Sequence, residues 1–220
     1  VQATAMDPDI IVEYLPRYLD ATLLTLRIAF FGTVYSLRLG LACSLVQYLR
    51  VPVALQIVNA YVELSRNTPL LVQLFFIYFG LPKIGIVWSS ENCAIIGLPF
   101  LGGSYMAEAF RSGFESVEAI QMESARSLGM KTSTAIRYVL LPQALTVALP
   151  GITANVVFLI KETSVVSNIA LPDLMFVTKD IIGTDYNTWI ALGMLVVFYL
   201  IILLPISLIA GYIERRMRHV

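Results

Sequence analysis

The residues of this chain that could do chemistry are polar groups set inside apolar runs. Glu63 lies in "YVELSRNTPLLV" and Glu162 in "VVFLIKETSVV". An ionisable group at membrane depth is paired or serves a transported ligand, because at roughly 2.5–3.5 kcal/mol for a charge at a helix centre it is not carried idly. Glu63 and Glu162 are therefore candidates for contact with a ligand's ammonium or other cationic group. Thr163 and Ser164 follow where the helix ends among polar residues, and their hydroxyls or freed amides suit a carboxylate. Asn67, Thr68, Gln73 and Asn155 are further polar candidates. The structural alternative for Glu162 is a pair with Lys161 or Arg27, and Arg27 and Arg38 either snorkel or pair with Glu63 or Glu162. Glu108 and Arg111, at i and i+3, read as a local ion pair.

Covalent chemistry is not indicated. No glycine loop followed by Lys and Ser or Thr is present to cradle phosphates, so the chain is not itself an ATPase. His219 reads as a solvated tail, no Cys/His group has metal-ligand spacing, and no serine has an embedded base. The expectation is a non-enzyme with no cofactor or metal of its own, working by conformational change.

The elements that must position these groups are membrane helices. Hydrophobic residues make up 58% of the 220, charged residues 14%, and the mean hydropathy is +0.78, against about 45–50% apolar residues in soluble domains. A formal net charge of zero excludes the basic footprint of a nucleic-acid binder. Five apolar spans are expected, at residues 19–49, 57–81, 93–114, 145–169 and 189–213, each near or above the roughly 20 residues a bilayer core requires. Within the third, Gly97, Gly102, Gly103, Ser104 and Ala107 permit close helix approach. The fourth reads as interrupted at Pro150-Gly151 and again at 161–164. Residues 83–92 read as a short loop and 171–188 as a loop exposing Asp173, Lys179, Asp180 and Asp185. Residues 1–18 suit a helix along the membrane surface without the features of a cleavable signal peptide, 19–216 form the membrane domain, and 217–220 are a tail. Cys43 and Cys93 read as two free thiols.

Five spans place the termini on opposite sides. With the N-terminus outside, the outer loops hold Arg17, Lys83 and Lys179, and the inner ones Arg50, Arg111, Arg126, Lys131, Arg137, Arg215, Arg216 and Arg218. The excess of inner positive charge sets that orientation and puts the polar island "QMESARSLGMKTSTAIRYVLLPQA", residues 121–144, in the cytoplasm. Around it, residues 119–128 suit a short surface helix ended by Gly129 as a left-handed cap. Thr132 or Ser133 would cap a second helix carrying Ile136, Val139 and Leu140, with Pro142 ending it.

Glu123-Ser124-Ala125, Gly129, Ile136 and Leu141-Pro142 together resemble the EAA loop of ABC-transporter permeases. Residues 62–82, 104–117 and 141–164 are similar to permeases of the polar amino-acid uptake family, and the likeness runs from about Tyr14 to Arg216. Two departures are Ser124 for the middle Ala and Asn67 where many relatives have Gly. The resemblance implies an all-α integral membrane protein of the type I ABC importer permease fold, with five transmembrane helices and a cytoplasmic coupling helix, in a bacterial cell membrane. It implies docking of 119–144 on an ATP-binding cassette subunit that carries ATP and Mg, a second permease copy or paralogue, an extracytoplasmic amino-acid-binding protein docking on 83–92 and 171–188, and an amino-acid substrate. An ion-coupled secondary transporter and a membrane assembly subunit are the rival classes; the first would show paired repeats with broken helices, and the second would not need acidic groups inside its spans.

Overall fold

The computed structural model describes residues 8–217, and all regular structure among them is helical. The expectations that concern residues 1–7 and Arg218, His219 and Val220 lie outside the described residues. The long elements are α1 (Pro8–Leu49), α4 (Ser90–Ser116), α7 (Leu141–Glu162) and α9 (Thr188–Met217). Four stretches, Asp9–Leu49, Ser90–Ser116, Thr132–Ile169 and Thr188–Arg216, are long and apolar enough to cross a membrane, and Leu70–Ile84 is a shorter apolar one. A helix suits such a run because lipid offers no partners to the backbone, which must bond to itself. Each long helix carries an internal proline, Pro16, Pro99, Pro150 and Pro205. The segment preceding residue 19 continues, from Pro8, as the first turns of α1.

Several local readings are corrected. The span expected at 57–81 is two helices, α2 (Ala54–Arg66) and α3 (Leu70–Phe75), separated at Asn67-Thr68-Pro69. Pro69 has no N–H to continue α2, and the polar pair before it takes up the carbonyls left over: Asn67 Nδ2 donates to the Glu63 carbonyl at 2.8 Å and Thr68 Oγ1 to that of Leu64 at 2.7 Å. Secondly, Pro142 does not end a helix. The short α6 (Thr132–Ala135) runs through a π-turn, Ile136–Leu140, into α7, in which Pro142 is the second residue. The Leu141 N–H bonds five residues back, to Ile136, and this widened turn accommodates a proline ring that would otherwise press on the Tyr138 carbonyl. The same arrangement occurs at the π-turn Phe76–Gly80, where the Leu81 N–H bonds to Phe76 just before Pro82. The chain likewise runs helically through Pro150; the break expected at 161–164 is present as a change from α7 to the 3-10 turn Thr163–Ile169. Thirdly, 171–188 is no loop: it holds α8 (Leu174–Asp185), and Asp173 is buried. Burial, which the local polarity does not report, is the reason.

The chain divides into two compact units. One comprises the described residues up to Gly32, Leu70–Leu98 and Val157–Leu208. Its core includes Tyr18, Ile28, Leu74, Leu98, Leu159, Ile169 and Ile181. The Tyr18 ring stacks on Phe198 at 5.3 Å, and its hydroxyl donates to the Ala191 carbonyl at 2.8 Å beside Thr178 Oγ1. The other comprises Thr33–Pro69, Pro99–Val156 and the chain from Ile209. Its core includes Met106, Phe114 and Leu140, with Cys43, Val62 and Ala107 in one cluster. Apolar side chains gain little from leaving lipid for protein, so close packing decides such contacts. Gly103 shows it: a Cβ there would lie 2.7 Å from both Leu39 and Tyr61, and the Tyr61 hydroxyl donates to the Phe100 carbonyl at 2.7 Å. Cys43 and Cys93, one in each unit, are buried thiols.

Candidate functional site

The first candidate site is the polar island. α5 (Ala119–Ser127) buries Met122 and Ala125, each 4% exposed, and turns Glu123 and Ser124 to solvent. Its inner side packs on α6 and the π-turn Ile136–Leu140. The end is a complete Schellman motif: Met130 N–H donates to Ala125 at 3.1 Å, Gly129 N–H to Arg126 at 2.9 Å, and Gly129 has φ +78°. Nothing surrounds the Gly129 Cα within 4 Å of where a Cβ would be, so the glycine is required by its backbone conformation alone. Leu128 beside it is 81% exposed. Ile136 and Leu141 are half-buried and Pro142 is exposed. The cap expected from Thr132 or Ser133 is absent: Lys131 takes the cap position, no side chain bonds there, and Thr132 is the first helical residue. Lys131 is already extended, at ψ 148°, which makes the helix start one residue earlier than its hydroxyls suggest.

The polar candidates inside the spans divide between the two units. In one, the Glu63 carboxylate accepts from Asn67 Nδ2 at 3.2 Å, both exposed and next to Thr68, and Asn155 Nδ2 donates to the Tyr105 carbonyl at 3.1 Å. In the other, Gln73 is buried on α3, which packs on the 3-10 turn that begins at Thr163. Glu162 is half-buried at the end of α7, Thr163 is buried and donates to the Ile160 carbonyl at 2.7 Å, and Ser164 is half-buried. The hydroxyls of Thr163 and Ser164 neighbour that of Tyr199 on α9.

Charge is concentrated elsewhere than expected. Arg27 pairs with Glu91 at 3.1 Å rather than with Glu63 or Glu162. The Glu108–Arg111 pair is formed at 2.8 Å, but it belongs to a larger network: Arg66 reaches Glu108 at 3.2 Å from α2, and Arg111 also holds Glu115 at 2.7 Å. These groups line a cavity of about 480 Å³, together with Glu63, Arg50 and Asn59. Arg66 and Glu108 are far apart in sequence and on different helices, so no periodicity announces their pairing. A mixed-charge cavity of this size can hold a small zwitterion or water, and its ion pairs can exchange partners as helices shift.

Against known families, residues 36–219 match the binding-protein-dependent transport system inner membrane component. The chain belongs to that family. Among its curated relatives is the probable glutamine ABC transporter permease protein GlnP of Bacillus subtilis (strain 168), 37% identical over 163 residues, which are 74% of this chain and 75% of that one. The probable amino-acid ABC transporter permease protein PatM of Vibrio harveyi is 37% identical over 77% of each chain. Among solved structures, an amino acid ABC transporter crystallised with histidines superposes with a TM-score of 0.85 at 30% identity, over 96% of this chain and 98% of that one. An inward-facing methionine transporter, MetNI, superposes at 0.79 with 20% identity over 93% and 98%, a likeness of fold alone. The fold of this inner membrane component is thus the type I ABC importer permease fold, all-α and multi-pass.

Proposed function

We propose that this inner membrane component is the translocation subunit of an ATP-driven importer for a polar amino acid, coupled to a separate ATP-binding cassette subunit through α5. The observation that carries the reading is the state of α5: anchored by only two buried side chains, stopped by a rigid glycine cap, and presenting Glu123, Ser124 and Leu128 outward. Such a helix transmits a push because its inner side is fixed to α6 and the π-turn, while its outer side is open to a partner. The curated relatives and the amino acid transporter at 0.85 support the amino-acid cargo.

In this reading the N-terminus is outside and the loop 119–144 cytoplasmic, where ATP and Mg are held by the partner. Glu123, Ser124, Ala125, Gly129, Ile136, Leu141 and Pro142 form the coupling element. Two permease chains, identical or paralogous, sit over two cassettes, and an extracytoplasmic binding protein delivers the amino acid onto the opposite side. Glu63 and Glu162 meet its ammonium or cationic side chain. Thr163 and Ser164 meet its carboxylate, with Asn67, Thr68, Gln73 and Asn155 as further polar contacts along the route. Alternation between inward-open and outward-open states moves the substrate; no bond of it is broken by this chain.

The test is gentle extraction of the tagged chain from its native membrane, mass spectrometry of what accompanies it, and uptake by the reconstituted assembly. A stoichiometric cassette ATPase and uptake that requires ATP are expected. Uptake by the chain alone under an ion gradient would overturn the reading in favour of a secondary transporter.

A further inference from the structure

Among the described residues of the unit that contains α8, the buried side-chain oxygens with no formed hydrogen bond include Asp173 Oδ2 and, on α9, the Tyr199 hydroxyl. Asp173 is 0% exposed. Its other oxygen, Oδ1, caps α8 by accepting the Phe176 N–H at 2.9 Å, so the carboxyl cannot turn away without losing the cap. The surroundings are polar but nearly uncharged. α1 contributes Thr25, whose Oγ1 accepts the Leu174 N–H at 3.5 Å. The end of α7 and the turn after it contribute the hydroxyls of Thr163 and Ser164, next to Tyr199. α9 contributes Tyr199 itself, at which the charge of Asp173 is felt. The cation that acts on Asp173 is Lys179, further along α8, whose Nζ lies 3.4 Å from Asn168 Oδ1. Burial pushes the Asp173 carboxyl up to about 6, against the pull of the Phe176 and Met175 N–H groups and of Lys179.

We propose that Asp173 is a buried proton-binding site that controls the first turn of α8, with Tyr199 as its second partner. Protonated, the carboxyl keeps the Phe176 N–H on Oδ1 and directs its O–H from Oδ2 to the Tyr199 oxygen, leaving the site closed and dry. Deprotonated, it releases the proton to solvent, and the uncompensated carboxylate draws water between the two oxygens and loosens the start of the helix. The value in the folded chain lies above the ordinary one for Asp, near 3.9. The stability this group contributes is therefore complete below that ordinary value and is lost as pH rises through about 6. The inference goes beyond the transport reading and does not rest on it, and its readouts need no transport.

The test uses the full chain in lipid nanodiscs with the subunits that remain bound, stepped from about pH 4.5 to about pH 7.5, a window that brackets the titration of the buried carboxyl. Infrared difference spectra follow the carboxylic-acid C=O band, and hydrogen exchange follows the amides of residues 174–178. A band that disappears with a midpoint near 6 in the wild type and is missing in Asp173→Asn is expected. Exchange at those amides, corrected for intrinsic base catalysis, should rise by up to about 100-fold across the window, the ratio of the carboxyl's proton affinities in the closed and the opened helix. Tyr199→Phe removes the acceptor of the acid, and the band should change frequency while still titrating. A wild-type chain with no carboxylic-acid band titrating in this window overturns the proposal, even if Asp173→Asn does not fold. An unchanged band in Tyr199→Phe removes Tyr199 from it.

Discussion

Two short helices, α5 and α8, join long apolar ones, and they are held in opposite ways. α8 is tied along its length: Leu174, Val177, Thr178 and Ile181 are buried, Asp173 caps its start, and α1 reaches it through Tyr18 to Thr178, through the Arg17–Asp180 pair and through Tyr14 to Asp185 at 2.9 Å. α5 is tied by Met122 and Ala125, has no side-chain cap at its start, and is defined at its end by the backbone of Gly129. A helix whose side chains are spent on its own chain is part of the scaffold. One that keeps its outer side chains free, yet is stopped at a fixed residue, is built for contact with something else. On the proposed coupling role this difference is what sets α5 apart from α8, and it can be broken from either side.

The largest effect should come from the scaffold helix. Ile181 is 0% exposed, and Ile181→Ala deletes buried volume that the tied helix cannot collapse to fill, at about 2–5 kcal/mol. Thermal unfolding of the purified chain should show the loss. A cost under about 0.5 kcal/mol, the level of an ordinary surface change, would mean that α8 is held no more firmly than α5. The next effect concerns α5 and should leave membrane insertion nearly untouched. Gly129→Val forces a β-branched residue into φ +78° at about 1–2 kcal/mol of local strain. That strain is relieved most easily by unwinding the last turn of α5. Uptake per assembled complex should fall at least about tenfold, the rate equivalent of 1.4 kcal/mol, with unchanged membrane levels and ATP hydrolysis no longer matched to transport. Gly129→Asn, which tolerates the left-handed region, should retain more uptake than Gly129→Val; equal losses would place the fault in side-chain size, although the site is open.

The comparison also explains which features were legible in the sequence. α5 was readable because its signals are local: polar residues, buried small ones and a glycine at the right offset. The long apolar runs were readable from length and composition, and the proximity of Glu108 to Arg111 from helical spacing. α8 was not, because its polar residues Thr178, Asp180 and Asp185 are partnered by Tyr18, Arg17 and Tyr14, and its Leu174 N–H by Thr25, all from the other end of the chain, while Asp173 is buried as its cap. The same distance in sequence hid Arg66 from Glu108 and Glu91 from Arg27. Pro142 misled for a different reason. A proline need not stop a helix: here, as before Pro82, the preceding turn is π, and Pro16, Pro99, Pro150 and Pro205 are carried inside the long α-helices. Both cases read Tyr, two residues, Leu-Pro, at Tyr78 and Tyr138; the pattern marks where the helix is widened, continuing after Pro82 only as a 3-10 turn to Ile84 and after Pro142 as α7.

The smallest expected effect tests how the two helical segments begin. α8 opens on a side chain that bonds the backbone, whereas α6 opens on Lys131 with no such bond, although Thr132 and Ser133 offer hydroxyls within one or two residues. Thr132 is exposed and already helical, so its hydroxyl is free to turn to solvent, and its β-branching slightly opposes the helix. Thr132→Ala should therefore change stability by less than about 0.5 kcal/mol, in either direction. A true cap would lose about 1 kcal/mol on the same substitution. Chemical denaturation of the two chains in the same detergent separates these values only if they are run side by side, and a loss near the larger figure would make Thr132 the cap and move the start of α6 to Ser133. The turn between Gly129 and the helix would then be one residue longer, and α5 would be less firmly joined to the π-turn on which the proposed coupling relies.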